Sequence, residues 1–255
     1  MPRQRQGSEL VLSFIAQRRV IGVLGVSLPL VVMIGGWQSS GQTVRDSVSA
    51  YYHSNMRDFF VGVLAMTGIF LMSYRGHDRR DRILTFFSGL FALGVATFPT
   101  IRTESGPAGQ ATRLDPLGVF ALPGETSRIV HYLCAVALFA CLTGMCYQFT
   151  HSTGPVTRQK TYRNVVYWIC AGLMVAAIAT GGIFLIPGIG QHKPDDLILI
   201  VEAACLGAFG VSWLVKGETF LSDDGSVATR VSGALRASRL YKMLGKQAPP
   251  GALSP

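Results

Sequence analysis

The sequence predicts an all-α, polytopic membrane protein: a six-transmembrane-helix bundle with both termini in the cytoplasm. The 255-residue chain contains six long apolar stretches, five without a charged residue and one with a single glutamate, Glu202. A hydrocarbon core about 30 Å thick is crossed by roughly 17 to 25 helical residues, so such stretches are typical of transmembrane helices. They are apolar nearly all round, unlike the amphipathic elements of a soluble domain. The uneven distribution of Lys and Arg along the chain predicts that both termini are cytoplasmic.

The first three spans differ in length. Span one is predicted at 20–37, because its apolar run begins directly after Arg18 and Arg19. Spans two and three are predicted at 59–74 and 83–98 and are short, at 16 residues each. Each can gain a helical turn from the residues that flank it, which brings it to the length that a bilayer requires.

The last three spans are long enough to cross the bilayer without additional residues. They are predicted at 129–149, 165–186 and 197–215. The chain then divides into a cytoplasmic N-terminal segment at 1–19, a membrane domain at 20–216, and a basic cytoplasmic tail at 217–255.

The basic residues predict the orientation. Seventeen of the 23 Lys and Arg residues lie in the N-terminal segment, the loops after spans two and four, and the tail. Cytoplasmic segments of membrane proteins are enriched in Lys and Arg, and an even number of spans places both termini on one side. We therefore expect a bacterial inner (plasma) membrane protein with these four segments in the cytoplasm.

This distribution also explains the formal net charge of +9. Basic residues beside membrane helices bind anionic lipids at the cytoplasmic face, so the charge requires no nucleic-acid partner. In the tail, apolar residues at helical spacing predict a basic helix on the membrane surface, with a docking site for a partner as the competing interpretation. The Pro-, Gly- and Ala-rich residues 247–255 are predicted to be disordered.

Small and aromatic residues predict how the helices pack. In span six, Ala203, Gly207 and Gly210 form a small face at helical spacing, and glycines in spans two and three can admit a close neighbour. Aromatic residues are expected to mark the membrane interfaces. They are Trp37 and Tyr51 on the outer side, and Tyr74, Tyr162, Tyr167, Trp168 and Trp213 on the inner side.

Polar residues concentrate on the outer side. Spans two, four and six all begin there, and each carries an ionisable residue near its start. If these three helices are neighbours, their outer ends form one polar cluster together with the segment 47–58, SVSAYYHSNMRD. The candidate ligand-binding residues are Ser49, His53, Arg57, Asp58, His131 and Glu202.

Glu202 is the strongest of these candidates. It lies six residues into span six, about 9 Å below the start of the helix. A charged side chain at the centre of a transmembrane helix costs roughly 2.5 to 3.5 kcal/mol, so Glu202 must be protonated, paired or in contact with water. A functional role and a structural partnership both satisfy this requirement. For Asp58, at the start of a helix, a favourable interaction with the helix dipole is a sufficient explanation.

Four strings carry a resemblance to a known family. They are SVSAYYHSNMRDFFVGVLAMTGIFLMSYRG, SGLFALGVATFPT, HYLCAVALF and VEAACLGAFGVSWLVKG. Together they resemble an uncharacterised bacterial family of multi-spanning, six-helix membrane proteins. The resemblance implies the membrane fold and marks His131 and Glu202 as landmarks, but it implies no activity.

A second resemblance concerns chemistry. Ser49 and His53 have the S-x-x-x-H spacing that is part of the pattern of the CREST superfamily of membrane metal hydrolases. The H-x-x-x-H pair and the seventh helix of that superfamily are missing from this sequence. The resemblance implies a zinc site only if His53, His131 and Glu202 act as substituted ligands.

Three classes of function remain open at this level. The preferred one is non-enzymatic: binding or passing a lipid headgroup, proton or small solute at an outer-facing polar pocket. The alternatives are a metal-dependent lipid hydrolase that uses His53, Asp58, His131 and Glu202, and a structural or assembly subunit. In the latter case we expect a homo-oligomer or another membrane partner. No cofactor is expected, except zinc under the hydrolase alternative.

Overall fold

The protein is described by a computed structural model. It describes residues 2–39, 44–76, 78–105, 111–114, 118–120, 122–151, 157–184 and 194–219. The surface helix and the disordered end predicted for the tail lie outside these residues.

Six α-helices account for most of the described chain. They are α1 (Pro2–Ser39), α2 (Arg57–Ser73), α3 (Arg79–Thr97), α4 (Gly124–Thr150), α5 (Arg158–Ile183) and α6 (Leu197–Lys216). The predicted spans one, four and six lie within α1, α4 and α6, whereas spans two, three and five were predicted one to three residues beyond the ends of α2, α3 and α5. Helix α1 also extends through residues 2–19, which the sequence analysis places before span one.

Two short elements interrupt the helical pattern. A 3-10 helix, Ser49–His53, lies between α1 and α2. Strands β1 (Arg102–Ser105) and β2 (Ala111–Leu114) form an antiparallel hairpin between α3 and α4, with Arg102 paired to Leu114. No strand was predicted in the loop after span three, but two strands of four residues leave the all-α fold class unchanged.

The helices form a closed ring. Each helix packs against the next one in the sequence, and α6 closes the ring by packing along α1. Across the ring, α4 also contacts α6. Helix α2 is separated from α4 by α3, and from α6 by α1. The three even-numbered helices therefore do not form one group of neighbours.

Four helices are long and apolar enough to cross a membrane: α1 over Ser13–Gln38, then α4, α5 and α6. Their apolar side chains also cover the outside of the ring, with Leu133 66% and Ile169 63% exposed. A soluble monomer rarely exposes so much contiguous apolar surface, so the chain is a multi-pass membrane protein. Helices α2 and α3 are not among these four. Helix α2 has only 17 residues, and α3 begins with three arginines and an aspartate.

Trp213 forms the core of one end of the bundle, which we call the Trp213 end. Its fully buried ring packs edge-on against Tyr74 and Phe149. Two arginines of α1 complete this end. Arg18 donates to the Tyr74 hydroxyl at 3.0 Å, and Arg19 donates to the Gly217 carbonyl at 2.8 Å. The last carbonyl groups of a helix have no partner within that helix, so Arg19 joins α1 to the end of α6.

The close approach of α1 to α6 requires glycine. A Cβ atom on Gly210 would lie 2.6 Å from the Val26 backbone nitrogen and 2.7 Å from the Gly22 carbonyl oxygen. A Cβ atom on Gly207, by contrast, would have no heavy atom within 4 Å. Of the small face predicted in span six, Gly210 therefore contacts α1 closely, whereas Gly207 does not.

Candidate functional site

The segment 44–56 folds over the end of the bundle opposite Trp213, which we call the Glu202 end. Ser47 starts a tight turn by accepting a hydrogen bond from the Ala50 N–H at 3.0 Å. The following Tyr51 and Tyr52 are 0% and 2% exposed, so this polar-looking string is anchored by two buried aromatic rings. Their burial holds the backbone of the segment against the ends of the helices.

Glu202 attaches this segment to α6. Its Oε2 atom accepts hydrogen bonds from the Val48 N–H at 2.6 Å and the Ser49 N–H at 3.2 Å, and its Oε1 atom accepts one from the Ser49 hydroxyl at 3.1 Å. The Leu199 N–H, in the first turn of α6, donates to the Asp46 carbonyl at 3.0 Å. The partner of Glu202 is therefore the backbone start of the 3-10 helix, together with one hydroxyl group.

The three donors suit either form of the carboxyl group. Hydrogen bonds from N–H and O–H groups stabilise an ionised carboxylate, and within the described residues no Lys, Arg or His lies within 4.0 Å of Glu202 to neutralise it. Two donors are backbone N–H groups, which only donate. The third is the Ser49 hydroxyl, which can rotate and become an acceptor. Ser49 can thus accept a hydrogen bond from a protonated Glu202 while the N–H groups keep their acceptor.

A second cluster forms where the chain leaves α3, at three successive carbonyl groups. The Phe98 carbonyl binds His131 Nδ1 at 2.7 Å, the Pro99 carbonyl accepts from the Ser127 hydroxyl at 2.7 Å, and the Thr100 carbonyl binds His53 Nε2 at 2.7 Å. Residues 98–100 therefore tie the 3-10 helix to the first turns of α4.

These contacts fix which ring nitrogens carry hydrogen. A carbonyl oxygen only accepts, so His131 must carry hydrogen on Nδ1 and His53 on Nε2. In neutral His131 this leaves Nε2 as a bare acceptor. The His131 side chain is 1% exposed, and its Nε2 atom has no partner among the described residues. This nitrogen is available to a water molecule or a proton.

Arg57 and Asp58, the other two candidates, lie at the start of α2. The Arg57 guanidinium donates to the Tyr52 hydroxyl at 3.0 Å and lies 4.7 Å from the centroid of the same ring. Asp58 is exposed in the first turn of α2, where a carboxylate interacts favourably with the helix dipole. Arg57 thus contacts the 3-10 helix, while Asp58 is exposed and Glu202 makes its hydrogen bonds at residues 48 and 49.

Two small cavities lie below Glu202, inside the ring. The first, about 20 Å³, is lined by Glu202 and Ser49 together with apolar side chains of α1 to α4 and α6. The second, also about 20 Å³, lies next to it on the way to the Trp213 end. The two share four lining residues: Leu28, Leu64, Leu138 and Leu206. A cavity of 10 to 15 Å³ is about the minimum for one water molecule, so each is large enough for one.

The residues proposed as zinc ligands do not converge. Carbonyl groups of residues 98–100 bind one ring nitrogen of His53 and one of His131, which is also common in zinc-bound histidines, but both oxygens of Glu202 are already bound at residues 48 and 49. Within the described residues, no three His, Cys, Asp or Glu side chains are placed to hold a metal ion. A catalytic zinc site needs three firm protein ligands, which this arrangement does not provide.

We expect metal chelation to leave the protein unchanged. Purified protein treated with a strong chelator should keep its melting temperature in detergent, because within the described residues no three possible ligand side chains are placed to hold a metal ion. Elemental analysis of the untreated protein checks the same point. About one zinc ion per chain, lost in His131→Ala, would instead support the hydrolase alternative.

Several partners in this site were not among the sequence candidates. Val48, Asp46, Phe98, Pro99 and Thr100 contribute only backbone groups. Backbone contributions cannot be recognised from residue type. The missed side chains include Ser127, Ser47 and Tyr52. No protein-family model, curated protein or solved structure shows a significant match to this chain.

Proposed function

We propose that this chain is a six-span plasma-membrane protein that reversibly binds a proton at Glu202, on the outer side of the membrane. The proposal narrows the three ligand classes that the sequence left open. A pocket for a drug-sized ligand encloses about 300 to 1,000 Å³. The cavity beside Glu202 has about 20 Å³, which favours a proton carried by one water molecule over a lipid headgroup.

The pairing of Glu202 with Ser49 carries the proposal. A carboxyl group that gains and loses a proton must keep acceptable partners in both states, because a buried polar group without a partner costs about 1 to 3 kcal/mol. The Ser49 hydroxyl can supply a donor to the carboxylate and an acceptor to the acid. The His131 Nε2 atom is a second buried acceptor at the same end of the bundle. A purely structural anchor needs neither the adaptable partner nor the adjacent cavity.

Infrared difference spectroscopy tests proton binding directly. When purified protein is moved from alkaline to acidic buffer, we expect the C=O band of a buried carboxylic acid to appear. Glu202→Gln should remove this band, because the amide does not titrate, and Ser49→Ala should shift it by removing its hydrogen-bond partner. Asp58→Asn is the matched control, since that carboxyl group is exposed and should leave the buried band unchanged. A buried acid band that persists in Glu202→Gln contradicts the proposal.

The packing of α2 and α3 supports six spans. Both helices lie within the ring, α3 between α2 and α4 and α2 between α1 and α3. Because α2 packs along α1 and α3 packs along α4, we expect both helices to lie at the same depth in the bilayer as the four membrane-crossing helices. The three arginines and the aspartate of α3 all lie in its first turn, so its remaining turns carry no charged residue.

Reporter fusions test the topology. A reporter fused after Pro255 should be active only in the cytoplasm, because 17 of the 23 basic residues then lie on that side. A second fusion, after Asn55 in the segment 44–56, should be active only outside. Activity of the Pro255 fusion in the periplasm would reverse the orientation and place Glu202 on the inner side.

A further inference from the structure

We infer that a groove between the end of α2 and the start of α3 binds one phospholipid with an anionic headgroup. The groove lies at the Trp213 end and encloses about 650 Å³. This volume lies within the range of small-molecule sites and is more than thirty times that of either cavity near Glu202. The site is separate from the proposed proton site, at the opposite end of the bundle.

One face of α3 supplies both the charged and the apolar part of the groove. Arg79, Arg82, Ile83 and Phe86 recur at the spacing that places residues on one side of a helix, and Phe87 continues the wall. Arg79 and Arg82 come first, and the apolar residues follow within about one turn. A phospholipid has the same order, with its phosphate next to its acyl chains.

Within the part of the chain that the structure describes, the three arginines of the groove have no competing partner. Arg75, Arg79 and Arg82 are exposed, and within the described residues their guanidinium groups make no hydrogen bond or ion pair. No acidic side chain is among the residues that line the groove. The nearby Asp81 packs instead against Gly76 in the connection between the two helices. Three free guanidinium groups bind a phosphate group strongly, because each offers several N–H donors in a planar fork.

The apolar part of the groove has the properties of a surface that contacts acyl chains. Ile83, Phe86 and Phe87 are 45%, 44% and 42% exposed, and Met72 lies across from them at the end of α2. A charged rim above exposed aromatic and aliphatic side chains matches the boundary between headgroups and hydrocarbon. This charge complementarity and this order of residues identify a membrane phospholipid as the occupant.

Native mass spectrometry of the full chain in detergent tests this site with three probes: phosphatidylglycerol, phosphatidylcholine and inorganic phosphate. We expect one phosphatidylglycerol molecule to bind more tightly than phosphatidylcholine. A direct charge-assisted hydrogen bond to a phosphate group contributes about tenfold in affinity, so Arg82→Gln should weaken phosphatidylglycerol binding about tenfold and the Arg79→Gln/Arg82→Gln double variant about 100-fold.

Arg80→Gln is the matched control. It removes the same charge from the same turn of α3, but Arg80 does not line the groove, so affinity should fall by no more than the roughly fivefold that one nearby basic charge contributes. Equal losses in Arg80→Gln and Arg82→Gln would show a general charge effect and overturn the site. Displacement of the lipid by inorganic phosphate at low concentration would also overturn it, because the groove would then recognise free phosphate. Melting temperatures should be unchanged in all variants, since these side chains are exposed.

Discussion

Replacing Glu202 with leucine is expected to lower the free energy of unfolding by about 3 kcal/mol, one for each of the three donors left without an acceptor. Leucine fills much of the volume of glutamate, but it accepts no hydrogen bond from the Val48 N–H, the Ser49 N–H or the Ser49 hydroxyl. Val48 and Ser49 are 2% and 6% exposed, so bulk water does not reach these donors, and one water molecule in the adjacent cavity can accept from at most two of the three. Thermal melting in detergent measures the loss.

Glu202→Gln separates hydrogen bonding from charge. The amide oxygen still accepts from the two backbone N–H groups, and the amide NH₂ can donate to the Ser49 hydroxyl, so we expect a loss of only about 1 kcal/mol. Ile200→Leu, on the exposed face of the same helix, is the packing control and should melt like the wild type. If Glu202→Leu also melts like the wild type, Glu202 does not anchor the segment 44–56.

Adding one methyl group at Gly210 is expected to destabilise the protein by about 3 kcal/mol, at the upper end of the range for overpacked cores. The new Cβ atom would meet the backbone of α1 at Val26 and Gly22, and neither atom can move without moving the helix. Helices α1 and α6 would have to separate along their whole contact. Thermal melting of Gly210→Ala in detergent measures the effect.

Gly207→Ala is the matched control for this prediction. It makes the same chemical change on the same helix, three residues away, where a Cβ atom would enter open space. Because alanine is favoured over glycine within a helix by about 1 kcal/mol, Gly207→Ala should be neutral or slightly stabilising. Similar losses at both positions would contradict the prediction, because helix propensity favours alanine at both and only Gly210 contacts α1 closely.

Much of the fold could be predicted from local sequence. Spans four and six were predicted at 129–149 and 197–215, and they lie within α4 and α6. Long apolar stretches identify membrane helices because every backbone polar group in the bilayer must be satisfied within the segment. The hairpin of β1 and β2 was missed, since strands of four residues carry little pattern.

The aromatic residues show where local reasoning ends. Trp37 and Trp168 are 45% and 54% exposed, as expected of residues at a membrane interface. Trp213 and Tyr51, predicted for the same role, are completely buried in the core. An aromatic residue near the end of a span fits either place, and only the rotation of its helix decides between them.

The sequence by itself determined that the chain is a helical, multi-pass membrane protein, and it singled out Glu202, because a lone carboxyl group in an apolar stretch is costly wherever the helix packs. Only the tertiary structure decided the partners. The Val48 N–H that binds Glu202 is 154 residues away in the chain, and the carbonyl groups that bind His53 and His131 carry no mark of residue type. Which glycine of α6 allows α1 to approach was likewise decided by how the two helices cross. Hydrophobic periodicity specifies elements one at a time, whereas contacts between them depend on the rotation and register of whole helices.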